Sequence, residues 1–264
     1  MTWEVHRYAG SSVEGPRYKV ESDDIAVEAP LTVKVDGEEF ATLVCTPTDV
    51  EELIVGFLAS EGLIRFADQV KSLSVDAVRG YAYVKLVNRH QRSTEQVAKR
   101  WIGSCCGKSR QFYFQNDVQT AKTVRTDLRV SIHQCLQLMK ALQEQSTDFQ
   151  ATGGLHNGAL CSPESLLLTR SDIGRHNALD KIFGHVLMNR LPVRDKLIAF
   201  SGRISSEVLL KVSKIGAGIL LSKSAPTDLA LRLAQDLGIT VVGFIRGDHL
   251  TVYTHPQRIA EWKE

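Results

Sequence analysis

The chain has little net charge, few cysteines and no long apolar run. It carries 32 Lys and Arg against 30 Asp and Glu, a formal charge of +2. A nucleic-acid-binding surface needs a clear basic excess, so that class of partner is not expected. No apolar stretch approaches the roughly 18 residues that span a bilayer. The opening Met1-Thr2-Trp3-Glu4-Val5-His6-Arg7 lacks the apolar centre of a signal peptide. These absences lead to the expectation of a cytoplasmic protein with no membrane partner. The five cysteines, Cys45, Cys105, Cys106, Cys135 and Cys161, are odd in number and irregularly spaced. That argues against a secreted disulfide framework. They also lack the second cysteine pair that a structural zinc would use, so no metal is expected. Repeats and low-complexity segments are missing too. What is present, 264 residues with 43% hydrophobic and 23% charged, suits one large or two modest globular domains.

Two of the cysteines stand apart from the others. Residues 103–110 read Gly-Ser-Cys-Cys-Gly-Lys-Ser-Arg, a small, polar, glycine-flanked stretch. A packed cysteine has apolar neighbours; Cys105 and Cys106 instead have Lys108 and Arg110 close behind. Nearby cations favour the thiolate, the nucleophilic form of cysteine. Adjacent cysteines close a strained ring if they bond to each other, so a stable structural disulfide is disfavoured. Cys45 ends an apolar strand and Cys135 lies in a helical apolar stripe, so both are expected to be packed thiols, as is Cys161.

Hydrophobic periodicity divides the chain in two. Residues 1–28 read as polar and irregular. Leu31-Thr32-Val33-Lys34-Val35 then alternates as a half-buried strand does, and Asp36-Gly37 marks a hairpin into a second strand ending near Cys45. Thr48 is a candidate cap for a helix carrying Leu53, Ile54, Phe57 and Leu58. Strand-like runs follow near 70–75 and 81–87. This pattern predicts a smaller N-terminal α+β domain over 1–127. Over 128–264 it predicts an α/β domain. Ile132, Cys135, Leu136, Met139 and Leu142 share a helical face. Short apolar strands then alternate with helices near 174–190, 205–215 and 227–237, and 250–253 forms a last antiparallel strand. Such alternation implies a mostly parallel sheet with helices on both faces.

Ligands of open α/β sheets bind beyond the carboxyl ends of the strands. Here those ends read Arg170-Ser171-Asp172-Ile173-Gly174-Arg175-His176-Asn177, Ser201-Gly202-Arg203, Lys223-Ser224-Ala225-Pro226-Thr227 and Arg246-Gly247-Asp248-His249. Each combines a small residue with a cation. Three lead into helix N-termini, which favour anions. The pattern suits a phosphorylated or nucleotide-like ligand. Conventional roles compete: Thr227 as an N-cap, and Arg175 and Arg203 as surface partners of Asp180 and Glu207.

The motif Ser104-Cys105-Cys106-Gly107-Lys108-Ser109-Arg110 is followed in order by Thr152-Gly153-Gly154-Leu155-His156, the run from Asp172 to Lys181, Ser201-Gly202-Arg203, Ser224-Ala225-Pro226-Thr227 and Gly243-Phe244-Ile245-Arg246-Gly247. Together these closely resemble the formate dehydrogenase accessory sulfurtransferase family, over nearly the whole chain from about residue 25. The resemblance implies a sulfurtransferase that accepts persulfide sulfur from a cysteine desulfurase. It would pass this sulfur to the molybdenum cofactor, held as a bound substrate in its bis(molybdopterin guanine dinucleotide) form, before the cofactor enters formate dehydrogenase. It also implies a cytidine-deaminase-like larger domain and a homodimer. Cys105 or Cys106 would be the carrier. Phe244, Ile245, Arg246, Gly247, Asp248 and His249 would form the cofactor-binding stretch. Arg175, His176, Ser201, Gly202, Arg203 and Ser224 complete the expected cofactor site.

Two departures bear on the chemistry. Family members often have a Cys-x-x-Cys loop, whereas the cysteines here are adjacent; Cys106 aligns through the shared Cys-Gly-Lys, and the first family cysteine falls near Gly103. Zinc deaminases need His-x-Glu and Pro-Cys-x-x-Cys; the nearest match, His156-Asn157-Gly158, lacks the glutamate, so deamination is not expected. The rival from another class is a non-catalytic chaperone that binds the cofactor and delivers it to the apo-enzyme.

Overall fold

Alternating hydrophobicity in the first part of the chain builds one sheet, and the later strand–helix alternation builds another. The structure, a computed structural model, describes residues 1–12, 15–88, 100–102, 121–146 and 151–263. It opens with an antiparallel ribbon of β1 (Thr2–Ser12) and β2 (Gly15–Asp24). This corrects the expectation of an irregular segment. The ribbon exposes Trp3, Tyr8, Tyr18 and Val20, so its composition carries no buried face to read. Cross-strand contacts hold it instead, among them Arg7 to Asp23 at 2.9 Å and the tilted Tyr8–Tyr18 pair.

Strands β3 (Ala29–Val35) and β4 (Glu38–Cys45) form the expected hairpin. Its turn residues Asp36 and Gly37 have φ of 51° and 94°, the left-handed pair that Asp-Gly supplies. Helix α1 (Val50–Ser60) follows, then β5 (Val70–Asp76), β6 (Tyr81–Leu86) and β7 (Arg100–Ile102). Their sheet has the order β5-β6-β3-β4-β7. Leu31, Val33, Leu43, Ala82, Val84 and Leu86 face inward onto α1, whose residues Leu53–Ser60 are all buried. Thr48 does not cap α1. The cap position is Asp49, without a side-chain bond, and the Thr48 hydroxyl accepts from Lys181 Nζ at 3.2 Å.

The second unit begins with α2 (Ile132–Gln145), started by a Ser131–Gln134 capping box. Next come β8 (His156–Cys161), β9 (Leu166–Asp172), α3 (Arg175–Met188), β10 (Leu197–Phe200), α4 (Ser206–Ile215), β11 (Ile219–Ser222), α5 (Asp228–Leu237), β12 (Thr240–Arg246) and β13 (His249–Val252). The sheet order is β13-β12-β11-β10-β8-β9. Strands β9, β10, β11 and β12 run in one direction, β8 lies antiparallel between β9 and β10, and β13 is antiparallel at the edge. The sheet is therefore mixed around a shared strand direction. The antiparallel insertion follows from the short Ser162–Ser165 turn, in which Ser165 N–H donates to Ser162 Oγ at 3.1 Å; a turn this tight can join only antiparallel strands. Helices cover both faces. On one side, α2 packs Cys135, Leu138, Met139 and Leu142 against Ala159, Ala199 and Leu221. On the other, α3, α4 and α5 share a core with α1 and the first sheet.

Helices α1 and α3 meet backbone to backbone. A Cβ at Gly56 would lie 1.8 Å from the Asp180 carbonyl oxygen, and one at Gly184 would lie 1.9 Å from that of Glu52. No side chain can yield there, because both obstacles are main chain. Gly184→Ala is expected to cost about 3 kcal/mol through overpacking, read as a lowered urea midpoint with an unchanged slope.

Candidate functional site at the carboxyl edge of the mixed sheet

The shared strand direction brings four carboxyl ends to one edge, as the strand-end reading requires. Strand β8 begins where the others finish: His156 is in register with Asp172, and Gly158 with Phe200. The edge is therefore formed by His156-Asn157, the β9–α3 turn, Ser201-Gly202-Arg203, Lys223-Ser224 and the β12–β13 turn.

The β9–α3 turn is fixed by a buried carboxylate. Asp172 Oδ1 accepts from Gly174 N–H at 2.8 Å and Asn177 Nδ2 at 2.9 Å; Oδ2 accepts from Thr46 N–H at 3.0 Å and pairs with Lys181 Nζ at 2.9 Å. Both charged side chains are fully buried. Lys181 also donates to the carbonyls of Thr46 and Ser171. One helical turn away, Asp180 pairs with Lys211 at 2.6 Å and accepts from Ser60 Oγ. Glu52 takes Arg170 in a fork at 2.6 and 2.9 Å and meets His185 at 2.7 Å. Burial alone would raise the Glu52 carboxyl, but the Arg170 and His185 hydrogen bonds outweigh it and hold the group below its usual range. The run from Asp172 to Lys181 thus joins the two sheets.

Arg175 and His176 open α3 after Gly174, which supplies no side-chain cap. Arg175 Nε is buried and lacks a hydrogen-bond partner among the described residues. His176 Nε2 lies 2.8 Å from Glu207 on α4, and Asp180 is buried against Lys211, so Asp180 is not the surface partner of Arg175. Burial raises the Glu207 carboxyl, with Lys211 opposing. Ser201 Oγ accepts from Asn157 N–H at 2.9 Å, and Gly202 O accepts from Ser222 Oγ at 2.8 Å. Arg203 is exposed beyond them. Ser224 Oγ donates to Ser201 O at 3.3 Å, tying two strand ends together. Thr227 does cap α5, accepting from Ala230 N–H at 3.4 Å.

The β12–β13 turn projects from the same edge. Phe244 sits in a bulge with φ of 51°, an unfavourable conformation for a bulky side chain, and is 42% exposed. Ile245 turns its side chain into the core, leaving its backbone to the edge. Arg246 is exposed, donates Nε to Lys223 O at 3.4 Å and lies over the Phe244 ring at 5.8 Å. Gly247 is left-handed at φ 58°. Asp248 and His249 form an exposed pair at 3.3 Å.

A cleft of about 250 Å³ opens beside these ends, between the C-terminal half of α2 and the loop preceding β8. Met139, Leu142 and Leu155 give it an apolar side; His156, Asn157, Ser201 and Lys223 give a polar one. Of the expected cofactor residues only Ser201 lines it. Sequence reasoning assigned Met139 and Leu142 to the core and left the Gly153-Gly154-Leu155-His156 stretch without a role. The antiparallel start of β8, which carries His156 to the edge, was the missing signal. His156 is held below the usual histidine value first by burial and then by Arg175, against a smaller pull from Asp172.

The candidate carriers Cys105 and Cys106 lie outside the described residues. Cys45, Cys135 and Cys161 are buried, and burial pushes each thiol up to about 12. These three stay protonated near neutrality. Among the described residues no group of three His, Cys, Asp or Glu side chains could hold a metal, and no helix is long and apolar enough to cross a membrane.

A sequence model described as the FdhD/NarQ family matches residues 26–260. The chain belongs to that family. Among its relatives, "Sulfur carrier protein FdhD" of Geobacillus kaustophilus (strain HTA426) is 59% identical over 243 residues, 92% of each chain. The protein of the same name from Bacillus subtilis (strain 168) is 57% identical over 248 residues, 94% of each. The crystal structure of a candidate formate dehydrogenase accessory protein from Desulfotalea psychrophila superposes with a TM-score of 0.76. That match has 22% identity and covers 97% of this chain and 99% of that one. At that identity it speaks for the fold alone.

Asp172→Ala would strand the buried Lys181 ammonium and free the Thr46 and Gly174 amides. The expected loss is about 3–5 kcal/mol, measured as a drop in thermal or urea stability. Exposed Arg232, paired loosely with Asp228 at 4.0 Å, provides the control: Arg232→Ala should change stability by less than about 1 kcal/mol.

Proposed function

We propose that this protein is a sulfur carrier that takes a sulfane sulfur onto Cys105 or Cys106 and hands it to the molybdenum cofactor for formate dehydrogenase. The observation that carries the reading is the convergence of strand ends on one edge with an orphaned Arg175 Nε, exposed Arg203 and Arg246, and Lys223. Such an edge suits the phosphates of a bis(molybdopterin guanine dinucleotide) held as substrate. The curated names of the relatives support the carrier role.

Two further observations support the cysteines. The other three thiols are buried and protonated, so the nucleophile falls to the pair at 105–106. Strand β7, which leads into residue 103, runs parallel to β4 with Ile102 beside Leu43. Three residues beyond Leu43, Thr46 is bonded to Asp172. At about 3.3 Å per residue, Ile102, the last described residue of β7, lies roughly 10 Å along the strand direction from this joint.

In the loading step the Cys thiolate attacks the outer sulfur of the persulfide on a cysteine desulfurase. A new S–S bond forms, the donor S–S bond breaks, and the donor leaves as a thiolate. No external oxidant is needed. Lys108 and Arg110 would raise the thiolate fraction. Arg175, Arg203, Arg246 and the uncapped start of α3 would hold the cofactor phosphates, which supply the anionic handle, and Phe244 to His249 would line the approach. A homodimer acting in the cytoplasm is the setting we propose.

Replacing both Cys105 and Cys106 by Ala should abolish the mass gain of about 32 Da after treatment with desulfurase and cysteine; an undiminished gain in intact-mass spectra overturns the carrier role. A purely delivering chaperone would take up no such sulfur in the wild type. Arg246→Ala should weaken cofactor binding at least about tenfold while loading proceeds. Normal binding with lost loading would contradict this division of labour.

A further inference from the structure

We infer that His156 is a proton-linked anion receptor: it is neutral in the free protein and takes up a proton when an anion occupies the carboxyl edge beside Arg175. The inference rests on the reading of this edge as the seat of a phosphorylated ligand and adds how that ligand is held.

Across the β8–β9 pair, His156 stands opposite Asp172, but Asp172 has its oxygens engaged by Gly174, Asn177, Thr46 and Lys181. No hydrogen bond or ion pair engages the His156 ring among the described residues. A Cβ added at Gly202 would lie 3.3 Å from His156 Nδ1, so the ring packs against the bare backbone of the β10–α4 turn. Arg175, at the start of α3, is close enough to depress the imidazole and has its own Nε buried without an acceptor. His156 therefore lines the cleft with Ser201 and Lys223 while its ring has no partner among the described residues, and Arg175, outside the lining, adds a guanidinium whose buried Nε has none either.

The charged groups around His156 come from several elements. Helix α3 supplies Arg175, and β9 supplies the already compensated Asp172–Lys181 pair. The end of β11 supplies Lys223, and the α3–α4 contact supplies His176 with Glu207. Helix α2 and its C-cap contribute no charge to the cleft, only Met139, Leu142, Gln143 and Ser146. Burial, and after it Arg175, outweigh the one compensated carboxylate and disfavour the protonated ring. An anion in the cleft beside His156 opposes both influences: it offsets the guanidinium and gives a protonated ring an acceptor. Binding and protonation are then linked, and each strengthens the other equally.

Sulfate is the probe, because it has no titration of its own near neutrality. Ring resonances of His156 would be followed by NMR from pH 5 to 9 in chloride and in sulfate at matched ionic strength. The signal would be identified by its loss in His156→Gln or, if that variant does not fold, by through-space contacts to Gly202. The expected midpoint lies below the free histidine value of about 6.5 in chloride. In sulfate it should rise by about one pH unit, equivalent to about tenfold tighter sulfate binding to the protonated form. An unchanged midpoint, with sulfate still perturbing the Arg175 side chain, overturns the inference and leaves the anion site standing. If sulfate perturbs neither residue, both the inference and the anionic reading of the edge fall.

Discussion

One buried carboxylate organises this molecule. Asp172 sits where the second sheet ends and α3 begins, and it receives the Thr46 amide from the end of β4 in the first sheet. Taking a carboxylate and an ammonium out of water is expensive, and attraction between the two seldom repays it alone. Here the cost is spread. The Gly174 and Thr46 amides, Asn177, Lys181, Thr48 and two carbonyls satisfy the charges between them. The net contribution to stability is modest, but the geometric demand is severe, because each partner must occupy its place for the charge to be tolerated. Two sheets and one helix start are thereby registered on a single point.

That registration has chemical effects. The helix start that Asp172 fixes carries Arg175 and His176. The strand that Thr46 terminates lies beside β7. The end of β4 and the start of α3 are thus referred to one origin. The charges that hold the frame are consumed in it, whereas those at the rim, on Arg203, Lys223 and Arg246, stay toward solvent or cleft. The division separates residues of one motif by role: within the run from Asp172 to Lys181, Asp172, Asn177, Asp180 and Lys181 build the frame, while Arg175 keeps a buried Nε without a partner among the described residues and His176 meets Glu207.

Much of the fold was legible because its signals are local. Asp36-Gly37 fixes a turn, Thr227 starts a helix, and apolar runs such as Leu197–Phe200 are short enough to be central strands. Strand ends could be read as a site because topology, more than side-chain contact, brings them together. The signals that failed are nonlocal. The β1–β2 ribbon has no buried face, so periodicity against a core says nothing about it. The β8 insertion depends on a four-residue turn, and Thr48 looked like a cap because its true partner, Lys181, lies 133 residues away. The cleft also escaped notice, since its apolar wall reads as ordinary core until α2 is seen to end beside the edge. Spacing along the chain could not separate frame charges from ligand charges either; burial does.

The glycine contact between α1 and α3 carries a mechanical consequence. Ordinary helix pairs are separated by a layer of side chains that can rotate and slide, and shear between domains uses that layer. At Gly56 and Gly184 there is no such layer, only carbonyl against carbonyl-bearing backbone. The two halves of the molecule are therefore welded rather than hinged. Any rearrangement that accompanies ligand binding leaves these two helices fixed on each other, and with them the core they share with the first sheet.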